Sequence, residues 1–82
     1  MERSDVFALL KKLIWEYLDE DGKNSDFEEH SNLLRDLHIN SAHLIDLVID
    51  VEDQFDITIE DPMLGKMTTV GSSIDVILSK LR

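Results

Sequence analysis

Apolar residues along this chain fall into runs with helical spacing, separated by polar stretches that carry turn and capping residues. Val6, Leu9, Leu10, Leu13, Ile14 and Tyr17 recur at intervals of three and four, which puts them on one face of a helix over about 4–18. Ser4 is suited to cap that helix and Asp5 to favour its positive end. Lys11 and Lys12 are expected to point outward, and Trp15 to pack at the edge of the stripe. A second stripe, Leu44, Leu47, Val48, Val51 and Phe55, predicts a helix over about 41–55. Val70, Ile74, Ile77, Leu78 and Leu81 predict a last one over about 70–81, capped by Thr69, with Lys80 and Arg82 at its negative end.

Between the second and last stripes, Ile57 and Ile59 are expected to turn back to the core. Residues 60–66 predict a short helix with Pro62 in its first turn and Asp61 as its cap. Gly65 weakens it, so it is expected to be the least stable element. Met63, Leu64 and Met67 are soft fillers expected to face the second helix. Before the second helix, 19–40 is a connection without apolar period until Phe27, Leu33, Leu34 and Leu37, which are expected to pin it to the core; 31–36 could close a short helical turn. Four apolar-striped helices, one of them short, and no strand pattern predict an all-α fold, a small four-helix bundle.

Charge narrows the partners. Eighteen acidic residues against eight basic ones give a net charge of −10, a field that repels nucleic acid and favours proteins with basic patches. The 82 residues, 43% of them apolar, suffice for one small core and argue against disorder. There is no cysteine, so thiol chemistry requires a sulfur from a cofactor. No apolar run approaches the ~20 residues of a membrane span, and the charged N-terminus does not read as a signal peptide. The expectation is a cytoplasmic monomer.

Candidate chemistry is sparse. A calcium-loop alignment puts Gly22 at the sixth position and Asp19, Asp21 and Glu28 at the third, fifth and twelfth, but Tyr17 at the first and Asn24 at the eighth break the pattern. A solvated acidic loop is the better reading, and no metal site is expected. His30, His38 and His43 lack metal-ligand spacing. His43 follows Ser41 by two residues, which on a helix means a different side, so no nucleophile–base pair forms and no catalytic residue is expected. What remains is Ser41. Asn40 is a good N-cap, which sets Ser41 at the first helical position beside unpaired N–H donors, where a phosphate ester is favoured. By helical count, Ile45 and Ile49 flank the core stripe next to Glu52, with Asp46, Asp50 and Asp53 on the solvated side. That is an apolar patch with an acidic rim, suited to a basic partner surface.

From about Leu33 to Leu81 the chain resembles the acyl carrier proteins. Ser41 at the head of an acidic helix is similar to the serine of their Asp-Ser-Leu signature. Glu52-Asp53-Gln54-Phe55-Asp56-Ile57-Thr58-Ile59 resembles their Glu-Glu-x-Phe-x-x-x-Ile, Lys66-Met67-Thr68-Thr69-Val70 their Lys-Ile-x-Thr-Val, and Ile74-Asp75-Val76-Ile77 the tail of their last helix. The resemblance implies one carrier domain over 1–82, with 4′-phosphopantetheine attached to Ser41 by a separate synthase and acyl groups carried as thioesters between enzymes of fatty-acid, lipid or polyketide-type synthesis. It also implies that Ile45, Asp46, Ile49, Asp50, Glu52 and Asp53 meet those enzymes, and that an attached chain can slip past the short helix into the core. Asn40 and Ala42 flank the attachment point and depart from the family's aspartate, which helps hold a metal during attachment, and from its leucine, a partner contact. His38 stands where glycine is common. Two other readings stay open: a carrier of aminoacyl or peptidyl units, and an unmodified carrier acting as an acidic interaction module.

Overall fold

A computed structural model describes residues 2–18 and 27–81; the calcium-loop alignment and Arg82 therefore lie largely outside the described residues. Among the described residues four helices follow in order: α1 (Arg3–Trp15), α2 (Ser41–Phe55), α3 (Asp61–Leu64) and α4 (Val70–Leu81). The described residues form an all-helical bundle without a strand; an isolated antiparallel bridge joins Asn32 to Thr69. α1 lies against both α4 and α2.

The apolar stripes meet at one centre. Val6, Leu10 and Ile14 of α1, Leu47 and Val51 of α2, and Val70, Ile74 and Ile77 of α4 are fully buried there. Each buried side chain of this size contributes roughly 1.5–3 kcal/mol relative to exposure, so these residues dominate the fold. Leu9, Leu13, Tyr17 and Leu44 are half-buried against the same cluster.

Several local expectations change. α1 starts one residue before Ser4, because the Glu2 amide donates to the Asp5 carboxylate at 3.0 Å and Glu2 takes the cap position. It ends at Trp15, where Tyr17 N–H to Ile14 O and Leu18 N–H to Trp15 O tighten the chain into i→i−3 bonds that cannot extend an α-helix. Lys11 is half-buried rather than directed outward. Its ammonium lies 5.7 Å from the Phe7 ring and 5.4 Å from the Phe27 ring, where cation–π attraction and stem burial favour it.

Segment 27–40 is held by its backbone. Phe27, Leu33 and Leu37 are buried, but Leu34 is 47% exposed, since consecutive residues of a turn cannot both face inward. Residues 31–36 close the expected single helical turn without lengthening into a helix: Asp36 N–H donates to Asn32 O at 2.9 Å, while Asn32 Oδ1 accepts from the Leu34 and Arg35 amides, and such side-chain bonds compete with further helical ones. The segment is stitched to α4 by Leu33 N–H to Thr68 O, Val70 N–H to Ser31 O and Gly71 N–H to Glu29 O, at 2.7–3.0 Å. Arg3 reinforces the junction, its Nε 2.9 Å from Glu29 and its Nη1 2.6 Å from Asp75. These two carboxylates, Glu29 first, hold its guanidinium further into the charged form.

α3 is a single turn without a buried residue. Glu60, not Asp61, occupies its cap position, and no side chain caps it; Pro62 offers no N–H. Beyond Leu64 the chain continues in i→i−3 bonds, Lys66 N–H to Met63 O and Met67 N–H to Leu64 O. Met67 alone of the three fillers is buried. Met63 borders a groove with Ser72, Val76 and Ser79, so it faces α4, not the second helix as expected.

Candidate functional site

The start of α2 is built by one side chain. Asn40 adopts an extended conformation and its Oδ1 accepts from the His43 amide at 2.8 Å, while its carbonyl accepts from Leu44 N–H. This leaves the Ser41 and Ala42 amides, the first two of the helix, outside the capping bonds. Asn40, Ser41 and Ala42 are all exposed, and the Ser41 hydroxyl has no hydrogen-bond partner among the described residues. The first turn of α2 contains no acidic residue. An anionic ester on Ser41 would thus meet free N–H donors and the positive helix end with no carboxylate in that turn.

The approach to this end is unusual. His38 has φ 57°, the left-handed region that favours glycine. At the other end of α2, Asp56 has φ 54° and its N–H bonds to Glu52 O, a left-handed cap. Neither conformation can be read from spacing, although a histidine in a glycine position was a signal for the first.

The six residues expected to meet partners separate into two groups. Ile45 and Ile49 are 56% and 50% exposed, and Asp46 and Asp53 are exposed beside them. Counting about 100° per residue, these four share a side of α2 with Ser41 and Ala42. Asp50, expected on the solvated side, is half-buried because the Tyr17 hydroxyl of α1 donates to its carboxylate. That bond, with burial second, pushes the Tyr17 phenol up to about 12. Glu52 is half-buried as well, its Oε2 accepting from the Ile59 amide at 2.7 Å. Thus Asp50 and Glu52 tie α2 to α1 and to the α2–α3 connection. The His43 ring lies 5.7 Å from that of Tyr17, turned to α1. Residues 17 and 50 carry no spacing signal that could have announced their bond.

No protein-family model matches the chain. It is, however, similar over nearly its whole length to proteins named acyl carrier protein. That of Thermotoga maritima is 37% identical over 79 residues, 96% of this chain and 95% of the relative. The protein of a Picosynechococcus species is 36% identical over 76 residues, 93% and 91% of the two chains. That of Coprothermobacter proteolyticus is 32% identical over 81 residues, 99% and 96%. The chain belongs to the acyl carrier protein family. Acyl carrier proteins are non-catalytic, so this member is not an enzyme. No group of three or more His, Asp or Glu side chains suited to a metal ion occurs among the described residues, and no described helix is long and apolar enough to cross a membrane.

Proposed function

We propose that this acyl carrier protein serves fatty-acid or related synthesis from Ser41, to which a 4′-phosphopantetheine arm is attached. The observation that carries the reading is the exposed, unbonded Ser41 hydroxyl at a helix start whose first two amides are left open. In attachment, a separate synthase takes the hydroxyl proton. The Ser41 oxygen then bonds to the β-phosphorus of coenzyme A as the bond to its nucleotide half breaks. Asn40 fixes the turn, and the small Ala42 side chain leaves the amides accessible. When attached, the arm supplies the thiol that the chain lacks, able to hold an acyl group as a thioester.

Partner enzymes with basic surfaces dock on Ile45 and Ile49. Asp46 and Asp53 form the free acidic rim; Asp50 and Glu52 add their charge while held by Tyr17 and Ile59. The protein works as a cytoplasmic monomer, and acyl cargo is favoured over aminoacyl or peptidyl cargo by the acidity of α2. The replacement of aspartate by Asn40 and of leucine by Ala42 supports a second reading, an unmodified interaction module. Intact mass after incubation with coenzyme A and a carrier synthase separates the two. The expected result is one phosphopantetheinyl addition on the Ser41 peptide, abolished by Ser41→Ala; no addition with several synthases would select the module.

A further inference from the structure

We infer that the Tyr17 hydroxyl is a latch at the α1 edge of the docking face, one that an arginine of a partner must displace from Asp50. The inference rests on the docking role proposed above for α2, and it names the residue that sets the preference of that face among basic partners.

At about 100° per residue, the exposed side of α2 runs from Ser41 through Ile45 and Ile49 to Asp46. Glu52 falls near one border, beside Ser41, and Asp50 beyond the other, past Asp46. Both carboxylates are half-buried and bonded, but to donors of different kinds. Glu52 accepts from a main-chain amide, that of Ile59, at 2.7 Å, and the Ile59 side chain is buried. Displacing that donor would move the α2–α3 connection and leave an amide without its partner. Asp50 accepts from the tip of a half-buried side chain, the Tyr17 hydroxyl. A phenol that swings away exchanges this bond for one to water, and the backbone stays where it is. The fold does not depend on the bond either, since α2 buries Leu47, Val48, Val51 and Phe55 and α1 buries Val6, Leu10 and Ile14. Asp50 is therefore an exchangeable contact, and Glu52 a fixed one.

The exchange selects the cation. The hydroxyl bonds to Oδ2 of Asp50. A guanidinium offers two parallel N–H groups and takes both carboxylate oxygens, whereas an ammonium is a point charge that one oxygen satisfies. A lysine can pair with Oδ1 while Tyr17 keeps Oδ2. An arginine reaches its two-bond geometry only when the hydroxyl leaves. The His43 ring, 5.7 Å from the phenol ring, keeps that phenol along this edge of α2. Tyr17 thus holds down the affinity for arginine-bearing surfaces and leaves that for lysine-bearing ones nearly unaffected.

Tyr17 is the only tyrosine of the chain, so its ring Cζ resonance reports on the hydroxyl alone. The probes are two synthetic amphipathic peptides, arginine–leucine and lysine–leucine, titrated into the unmodified full chain at low salt while the α2 amide resonances are followed. In the wild type, the arginine peptide should move the Cζ resonance towards its position in Asp50→Ala, and the lysine peptide should move it less. Tyr17→Phe, which keeps the ring, should bind the arginine peptide about fivefold more tightly and the lysine peptide with little change. Asp50→Asn should weaken arginine-peptide binding more in the Tyr17→Phe protein than in the wild type. Unchanged or weaker arginine binding by Tyr17→Phe, an equal gain with both peptides, or a Cζ resonance unmoved at saturation would overturn the latch and leave the docking role standing. Failure of both peptides to move the α2 amides, in wild type and Tyr17→Phe alike, would remove the docking role and the latch with it. The Cζ measurement uses the unaltered chain, so it decides the matter even where Tyr17→Phe loses structure.

Discussion

α2 and α4 begin alike and end up with opposite accessibility. Each has a polar cap, Asn40 or Thr69, whose side-chain oxygen accepts from the third helical amide, His43 at 2.8 Å or Ser72 at 3.0 Å. They differ at the first two amides. In α4 those of Val70 and Gly71 donate to Ser31 O and Glu29 O of the preceding segment, and Ser73 is buried with its hydroxyl bonded to Thr69 O at 2.8 Å. In α2 the corresponding amides of Ser41 and Ala42 are left open beneath an exposed hydroxyl. One helix start is closed by tertiary structure, while the other is left open to solvent. Local capping chemistry is therefore insufficient to mark a functional helix end. What matters is whether the rest of the fold reaches it.

The largest expected effect comes from the second helical position of each. A Cβ at Gly71 would stand 3.1 Å from Glu29 O and 3.3 Å from Glu29 Cβ, so the Glu29 backbone that closes this amide would have to shift by a few tenths of an ångström, and a larger side chain would push it further. Gly71→Leu should lose about 2 kcal/mol in denaturant unfolding, after the up to ~1 kcal/mol that a better helix former returns. Ala42→Leu, in open solvent, should stay within about 0.5 kcal/mol. Equal losses at the two positions would mean that the α2 start is as enclosed as that of α4.

The caps give the next effect. Asn40→Ala and Thr69→Ala should each lose about 1 kcal/mol. Hydrogen exchange sharpens the contrast. Without Thr69 Oγ1, the Val70 and Gly71 amides are still held by carbonyls of another segment, so the first turn of α4 should stay protected. Without Asn40 Oδ1, no hydrogen bond from another described segment holds the amides of the first turn of α2, and the His43 and Leu44 amides should exchange markedly faster. Comparable exchange in both variants would contradict the difference drawn between the two helix starts.

How much of this could be read from sequence follows from what each feature depends on. The stripes that bury Val6, Leu10, Leu47, Val51, Ile74 and Ile77 depend on spacing alone, and so were legible. So was the Asn40 cap, a contact between residues three apart. The exposure of Ile45 and Ile49 was legible as a flank outside the core face. Contacts between distant residues were not: Tyr17 reaching Asp50, Arg3 bridging Glu29 and Asp75, and the loop carbonyls closing α4 depend on how elements pack, which no local count contains. Ends depend on competing bonds within one turn. That is why α1 begins at Arg3 rather than Ser4 and α3 shrinks to four residues.

The smallest expected effect tests the path into the open helix start. His38 is exposed and left-handed at φ 57°, a conformation that costs a residue with a Cβ roughly 1–2 kcal/mol and glycine almost nothing. Glycine, in turn, loses about 0.4–1 kcal/mol through the greater freedom of the unfolded chain. The strain relieved exceeds the entropy lost, so His38→Gly should raise stability by about 0.5 kcal/mol, seen as a higher denaturation midpoint with an unchanged slope. His38→Val should lower it, since a β-branched side chain tolerates this region worst. Asp56→Gly, at φ 54° beyond the far end of α2, should follow the same sign by the same reasoning. If His38→Gly instead destabilised, the histidine would have to supply an interaction worth more than its strain. The approach to Ser41 would then be held by a side chain rather than by backbone conformation alone.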